Sequence, residues 1–156
     1  MAGKMVRLLC VGRLKTPFWR EAAAHYQHRL DRWRRVEMVE VRDGDAALAP
    51  GQRMAQEGRR LVEALGREAA AVALDEGGRP LDSPSLAALL RRFDEAALRP
   101  CFVVGGAFGL SPGVRDACAH CLSLSAMTWP HELARVLLLE QLYRAECILR
   151  KVPYHH

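Results

Sequence analysis

The 156-residue sequence has no long hydrophobic run: its longest strictly apolar stretch, residues 69–74, is far short of the roughly 20 residues that span a bilayer. No membrane partner is expected. The first residues lead into a strand-like run too short for a signal h-region, and no small-residue cleavage site follows, so the chain reads as cytoplasmic. Repeats, low-complexity tracts and linkers are missing, which points to one domain over residues 1–156. Cysteine is scarce and odd in number, five in all, and three of the five lie in apolar periodic segments. That argues against a disulfide framework and for buried thiols in a reducing compartment. Cys118 and Cys121 have the redox or zinc spacing but lack a second pair. They also fall at the end of an expected helix, where a thioredoxin-like pair would open one, so no metal is expected.

Half of the residues are apolar, enough for a real core, and 26% are charged with a formal net charge of +5. The excess sits at the front: residues 1–80 hold 15 bases against 11 acids, residues 81–156 hold 8 against 7. A moderate basic balance favours a polyanionic partner such as RNA without requiring one.

Apolar runs alternate with amphipathic ones. Strands are expected over 5–11, 36–41, 69–74, 101–104 and 122–127. Thr16 and Pro17 open a helix to about Trp33, a second runs from about Gln52 to a C′ glycine at Gly66, and Ser83 and Pro84 open a third to about Ala97. Ser111 and Pro112 start a fourth helix, and His131 starts the longest, to about Val152. Residues 43–51 and 75–80 read as loops. Five strands interleaved with five helices imply an α/β fold with a mostly parallel sheet covered on both faces, and ligands at the loops leaving strand carboxyl ends. The loops after Leu74, Val104 and Met127 are the candidates. The apolar stripe of the last helix, which includes Leu133, Leu137, Leu142 and Leu149, is wider than one core face requires and suggests a homo-oligomer contact.

Gly105, Gly106 and Gly109 follow a buried strand and precede a helix, so they suit either a ligand cradle or a tight strand-to-helix turn. The spacing is not a dinucleotide fingerprint, and no Walker lysine follows. Arg29, Arg32, Arg34 and Arg35 surround Trp33 near Tyr26 and His28, a helix end able to meet phosphates and bases or simply to complement the helix dipole. His131 and Arg135 lie one turn apart on the last helix, where His131 could equally be a cap. Tyr154 and His155 end the chain as a frayed tail or as a strap over a site.

Taken together, Gly105-Gly106-Ala107-Phe108-Gly109-Leu110-Ser111, the segment from Leu122 through Thr128, Pro130 and His131, Arg135, Glu140 to Tyr143 and Arg144, and the ending Pro153-Tyr154-His155 resemble the RlmH family, the SPOUT-class methyltransferases of large-subunit ribosomal RNA. The segments Val11-Gly12 and 74–78 extend the resemblance over essentially the whole chain. It implies a SPOUT-type α/β fold with a C-terminal trefoil knot, a homodimer, and S-adenosylmethionine (SAM) as methyl donor. The implied reaction is methylation of N3 of a pseudouridine in 23S rRNA on the assembled ribosome. Carried onto matching positions, the cofactor is held at Leu74, Gly105, Leu124, Ser125, Ala126, Met127, Thr128 and Trp129. His131, Arg135, Tyr154 and His155 are the expected catalytic residues. Members commonly carry a basic residue after the tail histidine, where this chain has His156, and Phe108 stands where some have an acid. Other readings are a same-fold methyltransferase acting on another RNA such as tRNA, a non-catalytic ribosome-associated module, and a flavodoxin-like redox domain using Cys118 and Cys121.

Overall fold

The computed structural model describes residues 3–156. Five strands, β1 (Lys4–Val11), β2 (Arg34–Val41), β3 (Ala70–Pro80), β4 (Pro100–Val104) and β5 (His120–Ser123), form one sheet in the order β2-β1-β4-β3-β5. Every pairing between them is parallel. The helices are α1 (Pro17–Asp31), α2 (Pro50–Leu65), α3 (Ser83–Glu95), α4 (Pro112–Ala117) and α5 (His131–Arg150). The first four open with proline at their first or second position, where a missing N–H costs nothing. Gly66 closes α2 at φ 60°, as its place in the sequence suggested.

Alternation along the strands divides the core. Leu8, Val72 and Phe102 face α1, α3 and α5, while Leu9, Ala73 and Val103 face α2 and α4. Behind the first face lies an ion cluster. Arg34 donates Nε to Glu146 of α5 at 2.6 Å and both terminal nitrogens to Asp94 of α3 at 3.0 and 2.7 Å. Arg34 is therefore a buried tie between β2 and two helices, not part of the exposed basic patch the sequence suggested.

The sheet differs from expectation at two places. The expected loop 75–80 belongs to β3, which bulges between Leu74 and Arg79 and pairs with Leu122 on both sides of the bulge. Strand β5 begins at His120 and ends at Ser123, so only two residues of the expected 122–127 strand are in it. Beyond it Ser123 Oγ donates to the Ser125 carbonyl at 2.8 Å, and Ser125 Oγ accepts from Met127 N at 3.0 Å. These local side-chain bonds turn the backbone out of the ladder. The result is a seven-residue connection, 124–130, lying against the ends of β3 and β4.

Candidate functional site

Three connections meet at the carboxyl edge of the sheet: the end of β3, the glycine turn after β4 and the segment after β5. They enclose a cleft of about 260 Å³. Leu74, Gly105, Leu124, Ser125, Met127, Thr128, Trp129 and His131 all line it. Ala126 lies on the same segment but does not line the cleft, and Asp75, Glu76, Val104, residues 106–109 and Ala134 complete the wall.

The glycine turn is both a tight turn and a cleft wall. Gly109 N donates to the Gly106 carbonyl at 3.1 Å, and Gly109 sits at φ 82°. A Cβ on Gly105 would come within 2.6 and 2.7 Å of the carbonyl carbon and oxygen of Gly109. Glycine is thus needed at 105 to close the turn on itself. The side chains at the cleft are exposed for their type: Met127 by 69%, Phe108 by 46% and Trp129 by 37%. Thr128 Oγ1 donates to Glu76 at 2.5 Å, tying the last connection to the β3 bulge, and Asp75 accepts from Gly77 N at 3.0 Å.

His131 is the first residue of α5 and lines the cleft. Its neighbour Glu132 fixes this end of the helix by accepting from the Lys15 and Thr16 amides and from Thr16 Oγ1 at 2.7 Å. Thr16 therefore occupies the α1 N-cap position but spends its hydroxyl on α5. Burial opposes the charge of Glu132, yet the hydrogen bonds from Thr16 and Lys15 outweigh it and hold the carboxyl below its usual range.

The other expected catalytic residues lie elsewhere. Arg135 is buried, donating to Glu40 at 2.7 Å and to the Gly12 carbonyl at 2.8 Å, and it is absent from the cleft wall. The two residues are four apart and share a side of α5, but Arg135 lies about 6 Å further along the axis, where Glu40 and the Gly12 carbonyl take up its guanidinium. His155 lines a second cavity, about 590 Å³, that shares Leu74, Leu124 and Trp129 with the cleft. The tail thus folds back beside the site. Tyr154 donates its hydroxyl to Glu140 at 3.0 Å and packs on Tyr143, and Arg144 stands 3.4 Å from His155 Nδ1. Burial, then the bond to Glu140, pushes the Tyr154 phenol up to about 12, so it is a neutral donor that positions the tail.

The remaining basic helix end is a cation–aromatic cluster. Arg32 and Arg150 each lie 5.2 Å from the Trp33 ring, and Arg29 lies 4.5 Å from that of Tyr143. Cys118 caps α4 and Cys121 lies in β5, both as free thiols. Among the described residues no group of three or more His, Cys, Asp or Glu side chains is placed to hold a metal, and no helix is long and apolar enough to cross a membrane.

Sequence reasoning missed Glu57 and Arg53 of α2, which brace the glycine turn from behind. Arg53 stands 5.8 Å from the Phe108 ring, and the buried Glu57 carboxylate lies under Gly106. The signal was present: Met54, Gly58, Leu61 and Leu65 mark the inward stripe of α2, and Glu57 is a charge set within it.

The family described as "Predicted SPOUT methyltransferase" matches residues 5–155. A protein of Desulfovibrio desulfuricans named "Ribosomal RNA large subunit methyltransferase H" is 67% identical, over 100% of both chains. One of the same name from Nitratidesulfovibrio vulgaris is 56% identical, over 98% of this chain and 99% of its own. Among solved structures, a "Probable Methyltransferase" from Bordetella pertussis Tohama I superposes with a TM-score of 0.59 at 18% identity, over 92% of this chain and 94% of its own, which bears on the fold alone.

Proposed function

The chain belongs to the SPOUT methyltransferase family, and from that premise we propose that it methylates 23S rRNA, transferring a methyl group from SAM to N3 of a pseudouridine on the assembled ribosome. The observation that carries this reading is the convergence of the three connections on one cleft, with the glycine turn as its wall. The lining suits the cofactor. Main chain from the three segments and the exposed Met127, Trp129 and Phe108 would offer hydrogen-bonding groups and apolar cover to an adenosyl group, and Asp75 and Glu76 put carboxylates on the same wall, which suits a cationic ligand. The full-length relatives named for large-subunit rRNA support the substrate.

When bound, SAM supplies an already activated methyl group on a sulfonium. The residues of this chain then have to align the acceptor nitrogen, exclude water and take away the N3 proton. His131, the histidine on the cleft wall, is the proton acceptor in this reading, and its ring nitrogen would receive the N3 proton. His155 acts from the tail and Arg144 from α5 beside it, the arginine stabilising the carbonyl oxygens of the deprotonated base. Tyr154 holds the tail through Glu140. Arg135 acts as a positioning residue, tying α5 to the end of β1.

The reading includes the C-terminal knot. It rests on the family, and β5 lies close against the β3 bulge, where a Cβ on Gly78 would come within 2.7 Å of the Leu122 backbone. It also includes one domain and a homodimer working in the cytoplasm. The helix α5 carries only partly buried Leu133 and Leu137, and its 20 residues span about 30 Å. In such a dimer the Trp33 cluster, gathered at the far end of α5, serves RNA bound at the partner's cleft. Equilibrium binding of SAM, followed by transfer of labelled methyl to ribosomes, tests the reading. Transfer to 23S rRNA is the expected result, and labelling of tRNA alone would replace it with the tRNA alternative.

A further inference from the structure

Glu57 is a buried charge beside the cleft with no part in the proposed reaction. Its side chain is 2% exposed. One carboxylate oxygen, Oε1, accepts from Gly44 N at 3.0 Å and from Arg53 Nε at 3.3 Å. The other, Oε2, is buried and has no hydrogen-bond partner among the described residues. That oxygen lies beneath the glycine turn: a Cβ on Gly106 would come within 2.9 Å of it, and within 3.2 Å of Val11. Gly106 itself lines the cleft. The absence of a side chain at 106 therefore lets a carboxylate approach to one backbone layer from the cleft.

The bracing of α2 against the loop before it is accomplished by Oε1 alone. A second, unpartnered carboxylate oxygen in a buried place is costly unless something offsets it. A cation on the far side of Gly106 would do so without touching it. We propose that Glu57 supplies a fixed negative charge under the cleft floor that makes the site prefer the cationic sulfonium cofactor over its neutral thioether product, S-adenosylhomocysteine. This rests on the cofactor reading above and adds a direction to the catalytic cycle: the charge attracts the donor and ceases to hold it once the methyl group has left. The other acids at the cleft are less suited. Asp75 accepts from Gly77 N and faces Arg115 at 3.5 Å, and Glu76 is exposed and bonded to Thr128. Water screens an exposed carboxylate far more than a buried one.

A buried charge one backbone layer away, at an effective dielectric of about 20 and partly offset by Arg53, predicts about a three- to tenfold preference. The test is calorimetric titration of the full chain with SAM and with S-adenosylhomocysteine, in wild type, Glu57→Gln and Glu57→Asp. Wild type should bind SAM the more tightly. Glu57→Gln should lose about three- to tenfold for SAM while its affinity for S-adenosylhomocysteine stays within twofold, and Glu57→Asp should keep the preference even where both affinities fall. Equal weakening of both ligands in Glu57→Gln, or no change in either, overturns the proposal and leaves Glu57 a structural brace. Should Glu57→Gln fail to fold, wild type decides through a SAM analogue with a charged amine in place of the sulfonium: equal affinity for it and for S-adenosylhomocysteine overturns the proposal. Binding of neither SAM nor S-adenosylhomocysteine by wild type would sink the cofactor reading itself.

Discussion

Replacing Arg34 by methionine should unfold this protein far more readily, although the residue lies away from the cleft. Its guanidinium is fully buried and holds Glu146, itself only 1% exposed, at 2.6 Å, with Asp94 bound through two further hydrogen bonds. Removing the cation leaves Glu146 with Arg150 at 3.2 Å as its other partner, at the edge of the core. Breaking a buried ion pair by deleting one partner costs about 3–5 kcal/mol. For a chain of this length each kcal/mol lowers Tm by roughly 2–4 °C, so a fall of roughly 6–20 °C is expected by calorimetry. The double variant Arg34→Met with Glu146→Met should recover most of the loss, because the fully buried carboxylate is gone and Asp94 keeps Lys4 at 2.9 Å. A single variant as stable as wild type, or a double variant less stable than the single, would refute the reasoning.

Gly105→Val should abolish SAM binding by forcing the turn open at Gly109, and equilibrium dialysis should show no retained cofactor even if circular dichroism keeps its wild-type shape. His155→Ala should lower turnover at least tenfold with SAM affinity nearly unchanged, whereas loss of residues 153–156 should cost more, because Tyr154 no longer anchors the tail to Glu140. Burial pushes the Cys118 and Cys101 thiols up to about 11 and that of Cys10 to about 12. Their alkylation by iodoacetamide should accordingly be slow at neutral pH and accelerate only as the solution approaches those values, since the thiolate is the nucleophile. Rapid labelling of Cys118 at pH 7 would contradict its placement.

Much of this organisation was legible in the residues. Short apolar runs placed β1 and β4, alternation placed most of β2, proline and glycine punctuation placed helix ends such as Pro17 and Gly66, and the strand-end argument chose the connections that form the cleft. What could not be read was set by distant partners. Residues 75–80 carry turn chemistry in Gly77, Gly78 and Pro80, yet Arg79 and Pro80 pair with β5, more than 40 residues away. Leu124 and Met127 look like strand positions, but the hydroxyls of Ser123 and Ser125 divert the backbone. Arg135 has nothing in its neighbourhood to reveal that it turns inward to Glu40 and Gly12, and Thr16 nothing to show that its hydroxyl belongs to Glu132. Glu57 could have been found as a charge inside an apolar stripe, though not its unpartnered oxygen.

The central claim is the identity of the modified nucleotide. Labelled methyl from SAM should be offered to assembled ribosomes, free large subunits and tRNA, and the labelled nucleoside mapped by nuclease digestion and mass spectrometry. The account predicts N3-methylated pseudouridine from 23S rRNA of assembled ribosomes. Label on another nucleotide, or none despite tight SAM binding, would contradict it.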